Sequence, residues 1–154
     1  MSDEQVILAR LSSALEAEAL LPAVFRRLDN DLSIDHVLSE RDAPGFEQPW
    51  LTAFAAVESV ASLNQLSPAQ RLVVDRIREV AYKQAFRATS HPDIAAYVSD
   101  DFDLIARAII AGQDSPWIAS LLSTYSHGRC PVASCLVPAI ASLSLVALAL
   151  PTHS

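Results

Sequence analysis

The residues best suited to chemistry lie in a short segment in the second half of the chain. One imidazole and four carboxylates occur together there: His91, Asp93, Asp100, Asp101 and Asp103. Carboxylates beside a histidine can bind a divalent cation, and carboxylates that repel one another hold a proton at a raised pKa. The segment therefore predicts, as one alternative, a metal or acid–base enzyme centred on His91, Asp100 and Asp101.

The same segment has a structural interpretation. Ser90 and Ser99 are typical helix N-caps, and an aspartate in the first turn of a helix stabilises the helix dipole. No two histidines have the spacing of a metal-binding pair, and P-loops, G-x-G-x-x-G turns and nucleophile elbows are absent from the sequence. We therefore expect helix capping here, with no catalytic residue, no metal and no cofactor.

The cysteines give little support to a metal site. Cys130 and Cys135 have a C-x4-C spacing without a companion histidine or cysteine cluster, which is a poor zinc signal. The N-terminus is acidic and has neither the basic nor the apolar region of a secretory signal. We expect a cytoplasmic protein with reduced thiols.

Charge is the stronger functional signal. The chain has 18 acidic and 11 basic residues, for a net charge of −7. A negative field repels phosphate backbones, so we expect no nucleic-acid binding and favour a basic protein partner.

The acidic residues are concentrated between Asp29 and Glu58, where Arg41 is the one lysine or arginine. Complementary charge raises association rates and selects partners, although a solvated loop has the same composition. Trp50 is a candidate hot spot for a partner if it is exposed, and a core residue otherwise. The predicted partner-binding residues are Asp29, Asp31, Asp35, Glu40, Asp42, Glu47 and Trp50.

The elements that must position these residues are helices. Apolar residues recur with helical spacing, and no segment alternates with period two over the length of a strand. Ser67-Pro68-Ala69-Gln70 is a capping box, Ser115-Pro116 is a second helix start, and Gly112 is a typical helix end. We predict an all-α single bundle of about six or seven helices, with helix boundaries at Pro49, Ser90 and Ser99.

The C-terminal segment differs from the rest of the chain. Residues 130–154 contain no acidic residue, no lysine and no arginine, and 15 of the 19 residues in Val132–Leu150 are apolar. We predict a helical domain at residues 1–129 and an apolar tail at residues 130–154. The tail has three interpretations: a core helix, a membrane anchor with the body at the inner face of the membrane, or an aberrant C-terminus.

Small size, negative charge and the lack of a catalytic motif favour a non-enzymatic bacterial protein of the immunity or antitoxin type. Such a protein would neutralise a basic toxin through its acidic surface. The alternatives are a tail-anchored protein whose helical domain recruits a partner, and the enzyme centred on His91, Asp100 and Asp101.

Overall fold

The computed structural model describes residues 3–28, 31–60 and 65–151, and within these ranges the secondary structure is helical without a strand. The prediction of an all-α bundle is confirmed. The described α-helices are α1 (Asp3–Glu16), α2 (Leu21–Arg26), α3 (Asp31–Asp42), α4 (Pro44–Glu58), α5 (Pro68–Thr89), α6 (Pro92–Ala111), α7 (Pro116–Ser126) and α8 (Leu143–Leu148). A 3-10 turn at Ala133–Cys135 lies between α7 and α8.

Helix α6 is the centre of the bundle. Most of its residues are buried, and it packs against α1, α3, α4, α5 and α7. Phe102, Leu104 and Ile105 have no exposed surface. Other helices enclose most of its faces, so Ser99 and Asp101 are buried with the apolar residues of α6.

Two predicted boundaries within this region are wrong. Ser90 ends α5 in a left-handed conformation (φ 58°), and His91 is the N-cap of α6. Ser99 lies inside α6 and donates a hydrogen bond to the main-chain oxygen of Arg78 on α5 (3.2 Å). The local capping signal at Ser99 is overridden because the apolar stripe continues unbroken from Val98 to Phe102.

The boundary at Pro49 is also wrong. Helix α4 begins at Pro44, directly after an extended Ala43, so Pro49 lies within the helix. A proline ring inside a helix clashes with the carbonyl four residues earlier, and that residue is Gly45, which has no side chain to add to the crowding. Only Ala43 therefore separates α3 from α4, and Pro44 and Gly45 belong to the first turn of α4.

Other predicted signals are present as expected. Ser67 and Gln70 form the complete capping box of α5, and the Ser115 hydroxyl accepts a hydrogen bond from the main-chain N–H of Ile118. Gly112 ends α6 with φ 67°.

The described part of the apolar tail lies on the bundle. Helix α8 packs against α1 and α7, and Leu143, Ala147 and Leu150 are buried in the core. Nowhere in the described ranges does the chain form a helix with the length and apolar character needed to cross a bilayer. Ile140 and Leu145 remain exposed.

Candidate functional site

The most connected polar group in the described chain is the carboxylate of Asp101, which has no exposed surface. Its Oδ1 accepts hydrogen bonds from Arg41 Nη2 (2.7 Å) and Trp50 Nε1 (2.9 Å). Its Oδ2 accepts from Arg41 Nη1 (2.7 Å) and from the hydroxyl of Tyr125 (2.6 Å). The carboxylate is therefore fully hydrogen-bonded, and none of its oxygens is free for a metal ion or a substrate.

Arg41 is the matching cation, and only 5% of its surface is exposed. Besides its two bonds to Asp101, its Nη1 donates to the main-chain oxygen of Pro131 (3.3 Å). Its Cζ lies 4.1 Å from the ring centroid of Phe46 and 4.9 Å from that of Tyr97. The planar guanidinium suits this arrangement because it pairs with both carboxylate oxygens and packs on aromatic rings.

Helical spacing explains how these side chains meet. Tyr97 and Asp101 are four residues apart on α6, and Phe46 and Trp50 are four residues apart on α4, so each pair lies on one face of its helix. Arg41 is in the last turn of α3, where the helix dipole favours a cation. We call Arg41, Trp50, Asp101 and Tyr125 the buried polar cluster; it joins α3, α4, α6 and α7.

The buried polar cluster perturbs its ionisable neighbours. Burial disfavours the charged form of Arg41, but attraction to Asp101 outweighs it and raises the pKa of Arg41. Burial and the charge of Asp101 raise the pKa of Tyr125 well above its ordinary value. Burial also raises the pKa of the Cys130 thiol to about 12, although Arg41 opposes that shift.

The predicted polar set at positions 91–103 does not converge on one point. Asp101 is buried in the cluster, whereas Asp100 is half exposed and pairs with Arg78 (3.5 Å). Asp103 pairs with Arg107 on the same helix (3.0 Å), and His91 is at the N-cap of α6. Among the described residues, no group of three or more His, Cys, Asp or Glu side chains is placed to hold a metal ion.

The predicted partner-binding set is partly exposed. Asp35, Asp42 and Glu47 face solvent on α3 and α4. Glu40 is engaged within the protein, because its carboxylate accepts hydrogen bonds from Ser134 and pairs with His36. Asp29 lies outside the described residues, and for Asp31 only the helical backbone is described.

Trp50 is partly buried, and its contacts are with residues inside the protein. Its indole N–H donates to Asp101, and its ring stacks on Phe54 with centroids 5.5 Å apart. The sequence interpretation treated Trp50 and Asp101 as members of separate sets, and the structure joins them.

The two predicted sets also meet at the surface. The hydroxyl of Tyr97 on α6 donates a hydrogen bond to Oδ1 of Asp42 on α3. Burial, this bond and the charges of Asp42 and Asp93 raise the pKa of Tyr97 to about 12. Glu47 and Asp100 line one cleft together with Tyr97. We call Asp42, Glu47, Asp93 and Asp100 the acidic rim; it lies above the buried polar cluster.

Sequence reasoning missed the roles of Arg41, Tyr97 and Tyr125. A weak signal for Arg41 was present, because it is the one lysine or arginine in an otherwise acidic segment. The hydroxyl of a buried tyrosine usually forms a hydrogen bond, but helical periodicity does not identify its hydrogen-bond partner.

Asp101→Asn should destabilise the protein by about 3–5 kcal/mol, because it leaves the charge of Arg41 buried without a counter-ion. Urea unfolding followed by circular dichroism measures this loss. The double variant Arg41→Met with Asp101→Asn should recover a large part of it, because the unpaired charge is gone. A double variant no more stable than Asp101→Asn would contradict the role assigned to the charge pair.

Cys130 should react slowly with a thiol reagent in the folded protein. A raised thiol pKa stabilises the folded state below the ordinary value of 9.0, and this contribution is lost as the pH rises through about 12. In a Cys135→Ser background at pH 9.0, the folded protein should react at least about a hundredfold more slowly than the urea-unfolded protein. Equal rates would contradict the burial of this thiol.

The comparison with known protein families identifies the chain. The model of the family described as immunity protein PIM1 matches residues 10–132. No curated protein sequence matches the chain. The matched residues contain α2 to α7 entirely, and with them the buried polar cluster and the acidic rim. Because the match covers most of the chain, the protein belongs to the PIM1 family of immunity proteins.

Proposed function

We propose that this protein neutralises a toxin by binding it through an acidic surface, without catalysing a reaction. Membership of an immunity family implies a protein partner that is a toxin. The same membership favours a non-enzymatic role. We propose in addition that binding occurs through the acidic surface and that the contacting surface of the toxin is basic.

One observation carries the proposal: exposed carboxylates of α3, α4 and α6 lie on one surface, and the cation beneath them is already neutralised. Arg41 is enclosed and paired with Asp101, so its charge does not cancel that of the acidic rim. A surface of one sign attracts a partner of the opposite sign and speeds its association.

The buried polar cluster contributes rigidity to this surface. It ties the end of α3 and the middle of α4 to the middle of α6, and these helices carry Asp42, Glu47 and Asp100. Side chains that are held in place before binding lose less conformational entropy in the complex. The buried polar cluster would thus favour binding by holding the acidic side chains in place, without contacting the toxin.

The rate at which the protein associates with its toxin tests this mechanism. We expect the triple variant Asp42→Asn, Glu47→Gln, Asp93→Asn to associate at least about tenfold more slowly with the cognate toxin. The association rate of the unmodified protein should fall steeply with added salt, and that of the variant only weakly. Stopped-flow fluorescence over a series of salt concentrations measures both.

A matched control removes the same charge elsewhere. Asp3, Asp75 and Asp114 are exposed, and they lie on α1, on α5 and between α6 and α7, respectively. The variant Asp3→Asn, Asp75→Asn, Asp114→Asn should associate at nearly the unmodified rate. If both triple variants slow association equally, net charge and not this surface controls binding, and the proposal fails.

A further inference from the structure

A small cleft opens within the acidic rim. Its volume is about 160 Å³, and it is lined by Arg41, Glu47, Trp50, Tyr97 and Asp100. Pockets for cofactors and drug-sized ligands have volumes of about 300–1,000 Å³. A cavity of about 150 Å³ holds a single benzene ring, so this cleft has room for one amino-acid side chain.

The lining favours a cation with an apolar stem. Two aromatic residues, Trp50 and Tyr97, can contact methylene groups or a cation, and two carboxylates, Glu47 and Asp100, can pair with its charge. Arg41 does not oppose this because both oxygens of Asp101 neutralise it at 2.7 Å. Burial raises the pKa of Asp100, although Arg78, which pairs with it at 3.5 Å, opposes the shift. A cation in the cleft gives this carboxylate a second favourable charge contact.

Arg41 also lines the cleft, and it is almost completely buried. Its Nε is enclosed and has no hydrogen-bond partner within the part of the chain that the structure describes. A buried donor without an acceptor is unfavourable, so the side chain beneath the cleft is not fully satisfied by the protein alone.

We propose that this cleft binds one arginine or lysine side chain from a loop of the toxin, with its cationic head between Glu47 and Asp100. Its methylene stem contacts Trp50 and Tyr97. This inference rests on the proposed function and makes it specific: the cleft is the anchor point within the acidic surface.

The two tryptophans of this chain provide the test. Trp50 lines the cleft, whereas Trp117 packs against Phe46 and does not line it. Proton–nitrogen correlation spectra report each indole N–H separately. Titration with the blocked peptide acetyl-Gly-Arg-Gly-amide should shift the Trp50 signal saturably and leave the Trp117 signal nearly unchanged.

Variants and a neutral peptide separate the cleft from general attraction. Acetyl-Gly-Gln-Gly-amide should produce no saturable shift. Glu47→Gln with Asp100→Asn should weaken binding of the arginine peptide by about five- to tenfold, the effect of losing two partly exposed charge contacts. Asp75→Asn with Asp114→Asn, which removes the same charge outside the cleft, should leave it unchanged. Equal shifts with both peptides, or equal affinity in both double variants, would overturn the proposal.

Binding measurements with the toxin distinguish the failure of this inference from the failure of the proposed function. If the Glu47→Gln, Asp100→Asn variant binds the cognate toxin as tightly as the unmodified protein, the cleft is not the anchor, although immunity through another part of the surface stands. If the unmodified protein does not bind that toxin at all, the proposed function itself fails. The peptide titration is read independently of both results.

Discussion

The buried pair of Arg41 and Asp101 is the interaction on which the arrangement of this surface depends. A charge enclosed in a protein is unfavourable unless it is paired and hydrogen-bonded, and both oxygens of Asp101 are bonded to Arg41 as well as to Trp50 or Tyr125. Its geometry can be satisfied only when α3, α4, α6 and α7 occupy their observed positions. The pair therefore specifies how these helices are arranged, beyond any net gain in stability.

This constraint links the interior to the surface. Asp101 and Asp100 are consecutive on α6, so the first is buried as a hydrogen-bond acceptor while the second reaches the cleft. Arg41 and Asp42 are likewise consecutive at the end of α3, with the cation enclosed and the carboxylate bonded to Tyr97. Adjacent residues thus take different positions: one is buried and holds the helices together, and the other lies at the surface.

Much of the fold follows from local sequence signals. Ser67, Gln70, Ser115 and Gly112 mark helix ends because capping uses only neighbouring residues. The serine signal at Ser99 misled because packing against α5 decides the outcome there, whereas Ser90 caps the C-terminus of α5 instead of starting α6. Long-range burial does not appear in a local pattern, so α6 was predicted as two helices.

The site was predictable only in fragments. Acidic residues of α3 and α4 and those of α6 were recognised as two groups, since each is local in sequence. Their union depends on contacts such as Arg41 with Asp101, which are 60 positions apart. No local period identifies such a pair, and the cleft between them exists only in the folded chain.

Hydrogen–deuterium exchange of the protein with and without the toxin tests the central claim most directly, because it maps the covered surface without altering any residue. The account predicts slowed exchange in residues 35–51 and 93–101, and unchanged exchange in the exposed face of α5. Protection confined to α5 or to residues 133–151, with none in α3 and α4, would contradict it.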